Sequence, residues 1–136
     1  MEQKKILVVD DDPDMVAAVE TTLKSKPYSV VTASDGEEGL SKVAGEKPDL
    51  IILDVIMPGK HGFQVCKELK TNPKYESFSR IPVLMLTVYP DEREKMNLSM
   101  REGMTMEAED YIQKPFDPDE LLERVERLIK VTSSPN

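Results

Sequence analysis

The chain has 136 residues, 39% apolar and 32% charged, with a net charge of −8; that suits one globular domain around one core. The acidic balance argues against direct nucleic-acid binding, which rests on Lys and Arg neutralising phosphates, and favours a divalent cation or a basic partner surface. One cysteine (Cys66) and one histidine (His61) exclude an internal disulfide and a zinc centre and fit a reducing, cytoplasmic setting. No apolar run approaches the ~18 residues of a membrane span, and the four after Lys5 are too few for a signal-peptide core.

Ile6–Val9 is a continuous apolar run, as expected for a strand buried on both faces of a parallel sheet. It leads straight into Asp10, Asp11 and Asp12. Asp12 can cap a helix with Pro13 at its first position, and Met15, Val16, Val19 and Leu23 then line one face. Ser29–Ala33 is a more polar run that suits an edge strand. Asp35 opens a second helix with Leu40 and Val43 inward, and Gly45 is placed to end it in a left-handed turn. Leu50–Val55 is a second continuous run and carries Asp54 at its end.

Phe63, Cys66 and Leu69 mark a third helix, broken by Pro73. Pro82–Thr87 is a third continuous run, ending in a hydroxyl. A fourth helix is expected over 91–102, with Met96 and Met100 on one face. Met104 and Met106 extend this methionine-rich stretch, which reads first as core filling, with a soft partner-binding surface as the alternative. Asp110–Lys114 is a second edge strand. The sequence Asp117-Pro118-Asp119-Glu120 starts the last helix in the manner of a capping box, and Leu121, Leu122, Val125, Leu128 and Ile129 form its stripe, closing near Lys130. Residues 1–130 then form one α/β domain of alternating strands and helices with right-handed crossovers, and 131–136 a tail or linker stub.

Ligands of open α/β sheets bind beyond the carboxyl ends of the strands. There the chain places Asp10, Asp11 and Asp12 after the first strand, Asp54 at the end of the third, Thr87 at the end of the fourth and Lys114 at the end of the fifth. Two carboxylates ~5 Å apart repel by about 3 kcal/mol at an effective dielectric of 20, so such a cluster must bind a cation or a proton. Oxygen ligands without His or Cys point to magnesium, which also draws phosphoryl oxygens. The set suits phosphoryl transfer to a carboxylate nucleophile, with metal and lysine taking up charge.

Four stretches, "ILVVDDDPDM", "PDLIILDVIMPGKHG", "VLMLT" and "DYIQKPFDPDEL", resemble in order the receiver domain of two-component response regulators. The resemblance implies a flavodoxin-like (βα)5 fold with a five-stranded parallel sheet in the order 2-1-3-4-5. It implies that Asp54 accepts a phosphoryl group from a histidine kinase or phosphotransfer protein. Asp11, Asp54 and the backbone carbonyl of Ile56 would bind Mg2+, with Asp10 acting largely through water and Asp12 serving as a cap. Thr87 and Tyr111 would be the switch pair, Lys114 would pair with the phosphoryl group, the bond to Pro115 would be cis, and Gly62 would be the loop glycine after the acceptor. The face made by the fourth helix, fifth strand and fifth helix would signal to a downstream effector or output domain, with a phosphorylation-dependent homodimer through that face among the outcomes. No membrane or direct nucleic-acid partner is implied.

In receivers, the positions of Ile56 and Tyr89 flank the path of hydrolytic water. Neither offers a carboxylate or amide here, so the phosphoryl group is expected to be lost slowly. Val88 follows Thr87 where a smaller residue is usual, and the segment between Thr87 and Lys114 is longer than usual for the family. His61 reads as a solvated loop residue and Cys66 as a small core residue. Two rival readings remain at this point: a haloacid-dehalogenase-like phosphatase with Asp10 as nucleophile, and a pseudo-receiver that docks without being phosphorylated.

Overall fold

The computed structural model describes residues 3–55, 57, 61–87 and 108–133. Five strands form one parallel sheet in the order β2-β1-β3-β4-β5: β1 (Lys4–Val9), β2 (Tyr28–Ala33), β3 (Leu50–Asp54), β4 (Val83–Thr87) and β5 (Asp110–Gln113). The two polar runs are the edge strands, as their composition predicts, and the three continuous apolar runs lie in the middle. The reason is visible in β1. Ile6 and Val8 belong to one buried cluster with Val19, Leu23, Leu121 and Val125, while Leu7 and Val9 belong to the other with Leu40 and Val65. Alternate residues of a central strand thus serve opposite faces, so every position must be apolar.

Helices α1 (Pro13–Lys24), α2 (Gly36–Glu46) and α3 (Gly62–Thr71) follow the first three strands, and the C-terminal helix spans Pro118–Ser133. Asp12 caps α1 by accepting from the Asp14 amide at 2.9 Å, and Asp35 caps α2 by accepting from Glu38 at 2.8 Å. After α3 the chain turns through a 3-10 segment, Pro73–Phe78, whose cap Asn72 accepts from the Lys74 amide. Cys66 is buried and His61 exposed, as expected. The C-terminal helix continues past Lys130. The fourth expected helix, 91–102, with Met96, Met100, Met104 and Met106, lies outside the described residues, as do Ile56, Val88 and Tyr89.

One boundary differs from expectation. Gly45 lies within α2, and the left-handed cap is Lys47 at φ 50°, whose amide donates to the Val43 carbonyl. An L-residue with a side chain adopts that conformation at a cost of about 1–2 kcal/mol, whereas Gly45 contributes no packing, since a Cβ there would meet nothing within 4 Å. The two residues are thus exchanged relative to what helix energetics favour. Gly45→Ala and Lys47→Gly are each expected to raise stability by roughly 0.5–1 kcal/mol, and the shift of the urea midpoint checks it.

Candidate functional site

The register of the sheet brings four strand ends to one edge. Val9 pairs with Ala33 and Leu53, Asp54 with Leu86, and Thr87 with Gln113. Asp10 follows β1, and its amide donates to the Ala33 carbonyl at 3.1 Å. Asp54 is the last residue of β3 and Lys114 the first after β5. Asp10 and Asp54 are the two buried charged residues in the described part of the chain, 2% and 4% exposed, whereas Asp11 is exposed.

Carboxylate oxygens of Asp10, Asp11 and Asp54 all lie within 4.8 Å of one another. The Lys114 ammonium stands between the two buried acids, donating to Asp54 Oδ1 at 3.1 Å and to Asp10 Oδ2 at 3.2 Å. Asp10 spends its other oxygen on the Asp12 amide at 2.9 Å. Burial disfavours the lysine's charge, but Asp54 and then Asp10 outweigh it and raise its pKa above the ordinary 10.5. The stabilisation from these bridges is therefore full below that value and fades only as pH climbs through the raised one.

Three carboxyl groups face one ammonium, and the donors are all oxygen. That set fits a hard dication, which would supply the missing positive charge and take Asp11 as its most accessible ligand. The Lys114–Pro115 bond is cis. Tyr111, in the middle of β5, packs against the same core cluster as Met85, on the α2 and α3 side of the sheet. Thr87 ends β4 beside Gln113; its side chain lies outside the described atoms, as does the carbonyl of Ile56.

Gly62 opens α3 directly beneath β3. Its amide donates to the Val55 carbonyl at 2.9 Å, and a Cβ on it would stand 2.3 Å from the carbonyl oxygen of Asp54. Only glycine lets α3 approach so closely, which explains physically why a glycine follows the acid at this spacing.

Sequence reading missed the residues that hold β5. Arg124, on the C-terminal helix, donates to Asp110 Oδ1 at 2.7 Å and to the Tyr111 carbonyl at 3.1 Å, and also to Glu120. Lys70 and Glu109 meet just before the start of the same strand. The only signal for Arg124 was its place beside Val125 on the inward half of an amphipathic helix.

The fold and this edge together define a class, and comparison with known proteins agrees. Residues 6–126 match the response regulator receiver domain, and the chain belongs to that family. It is 42% identical over 127 residues to the alkaline phosphatase synthesis transcriptional regulatory protein PhoP of Bacillus subtilis (strain 168), covering 93% of this chain and 49% of that protein. The chain spans about half the length of the curated relatives it matches. A putative response regulator from Chloroflexus aurantiacus J-10-fl superposes with a TM-score of 0.78 at 34% identity, over 94% of this chain and 98% of the other. The signal receiver domain of a signal transduction histidine kinase from Syntrophus aciditrophicus gives 0.82 at 29% identity, over 98% and 95%. The chain is therefore a receiver module of two-component signal transduction rather than a turnover enzyme. No helix among the described residues is long and apolar enough to cross a membrane.

Proposed function

We propose that Asp54 is the phosphoacceptor of this receiver, and that a histidine kinase or phosphotransfer protein is its donor. An Asp54 carboxylate oxygen attacks the phosphorus of a phosphohistidine. The new P–O bond forms as the P–N bond breaks, and the electron pair leaves on the imidazole nitrogen. The observation that carries this reading is the pairing of Lys114 with Asp54 at 3.1 Å inside a cluster of three acids. Both oxygens of Asp10 are held, one by Lys114 and the other by the Asp12 amide, which weighs against the phosphatase reading.

Asp10, Asp11 and Asp54, with the carbonyl of Ile56, would hold Mg2+, and a dication bound there would offset the charge of the incoming phosphoryl oxygens. Lys114 is already oriented by Asp54 Oδ1 and needs little reorganisation to meet a phosphoryl oxygen. The Thr87 hydroxyl would bond another. Tyr111, already packed against the core cluster, would then be held there, and the surface made by β5, the C-terminal helix and the expected fourth helix would be re-shaped, a shift between two packings driven by those contacts. A downstream effector or output domain would read that surface, and a homodimer formed on phosphorylation is one form the reading can take. The relatives named as transcriptional regulators support an output in transcription, and the lone Cys66 supports a reducing, cytoplasmic setting.

The test is to phosphorylate the purified chain with a small acyl phosphate and magnesium, then trap and map the acyl phosphate. Modification of Asp54 is expected; modification of Asp10 would favour the phosphatase.

A further inference from the structure

The fifth strand is four residues long and pairs with β4 alone. A slip of one residue in so short a strand would turn Ile112 and Tyr111 to the wrong faces and carry Lys114 about 3.3 Å from its acids. At the end of β5 opposite the acid site, the structure holds the strand with an ion pair between a nearly covered lysine and an exposed glutamate that the phosphoryl chemistry does not use. Lys70, in the last turn of α3, has a side chain only 7% exposed. Its ammonium donates to the carbonyls of Ser79 at 3.0 Å and Ile81 at 2.7 Å and to Glu109 Oε2 at 3.0 Å. Each of its three N–H groups thus has an acceptor.

Glu109 is the residue just before β5. Its other oxygen accepts from the Val83 amide at 2.7 Å, and its own amide donates to the Val83 carbonyl at 3.0 Å. Lys70 thereby joins α3, the approach to β4 and the start of β5 at one point. A solvated lysine at a helix end would do none of this. A nearly buried ammonium is retained against a desolvation cost of several kcal/mol only when its partners are fixed. Arg124 ties the start of β5 to the C-terminal helix, whereas Lys70 and Glu109 tie it to α3 and the approach to β4.

We propose that Lys70 and Glu109 are positioning residues for the phosphoryl site: they set the register of β5 from its far end, and so deliver the Lys114 ammonium to Asp54. The inference rests on the reading of Lys114 as the cation of that site. Glu109 and Lys114 are about 17 Å apart along the strand, well beyond the range in which substitutions ordinarily couple.

The experiment measures the rate of phosphoryl uptake from a small acyl phosphate, at saturating donor and over a magnesium series. The proteins are the parent, Lys70→Met, Glu109→Gln, Lys114→Met and the two double variants with Lys114→Met, each with its urea midpoint. Glu109→Gln keeps the shape and the Val83 acceptor, so it carries the test if Lys70→Met does not fold. Lys70→Met and Glu109→Gln are each expected to slow uptake roughly tenfold, with no rise in the magnesium concentration for half-saturation. Each double variant is expected to match Lys114→Met alone within about twofold. Unchanged rates in Lys70→Met and Glu109→Gln, multiplicative losses in the doubles, or a rise in the magnesium concentration for half-saturation would each overturn the proposal. Unchanged uptake in Lys114→Met would instead overturn the reading of the site itself.

Discussion

Lys114→Met is expected to destabilise the magnesium-free protein by about 3 kcal/mol, and most of that loss should return when magnesium is added. The ammonium is the counter-ion of two carboxyl groups that are 2% and 4% exposed. Removing it takes that ammonium from three carboxylates whose oxygens lie within 4.8 Å of one another. A dication competes for the same oxygens, Asp54 Oδ1 and Asp10 Oδ2, so the variant should also bind magnesium more tightly than the parent. Saturation at a hundred times the dissociation constant contributes about 2.7 kcal/mol. Urea denaturation with chelator and with magnesium checks both parts. A similar midpoint shift on adding magnesium in parent and variant would show that lysine and ion do not share ligands. Asp54→Asn should move the other way, stabilising the magnesium-free chain by about 1–2 kcal/mol by relieving repulsion.

Gly62→Ala is expected to lower stability by about 2–3 kcal/mol and to slow phosphoryl uptake. The added methyl would sit 2.3 Å from the Asp54 carbonyl oxygen and 3.0 Å from the Val55 Cα. Both are backbone atoms, which cannot rotate away, so either α3 withdraws or the Asp54 peptide shifts. The same substitution at Gly45 is expected to stabilise, because its methyl meets nothing. Opposite signs for one chemical change, read from denaturation of the two variants, would confirm that space and not glycine content decides the outcome. A Gly62→Ala protein as stable and as fast as the parent would show that α3 is free to withdraw.

The sheet was legible because burial on both faces leaves no choice of residue. "ILVV", "LIIL" and "VLML" are the three central strands, and the two polar runs fall at the edges. The acid site was legible for a related reason: Asp10, Asp11 and Asp54 break apolar runs at strand ends, where nothing about folding asks for charge. Lys70 left no such trace. A lysine near the end of an amphipathic helix reads as a solvated residue favoured by the helix dipole, and its partner Glu109 lies 39 positions away. Glu109 itself reads as one acid among several. Long-range ion pairs of this kind depend on where two helices and strands finally sit, which no local pattern encodes. Lys47 shows the opposite failure: local preference pointed to Gly45 as the left-handed residue, and the end of α2 was instead fixed by how the helix packs on β1, with Leu40 and Val43 buried beside Val9.

The pairing of Lys114 with two acids also sets what phosphorylation must do. A phosphoryl group on Asp54 would compete with Asp10 for the same ammonium, so Lys114 would be drawn from one to the other and pull on the end of β5. That strand carries Tyr111 and is anchored at its far end by Lys70 and Glu109. A short strand held at one end and pulled at the other is a simple way for chemistry at the sheet edge to reach the surface around the C-terminal helix.

The most direct measurement is incorporation of label from a radiolabelled acyl phosphate into the intact chain across a magnesium titration, in the parent and in Asp54→Asn. The account predicts label that rises with magnesium in the parent, vanishes with chelator, and is absent from Asp54→Asn at every concentration. Equal labelling of both proteins, indifferent to magnesium, would contradict it.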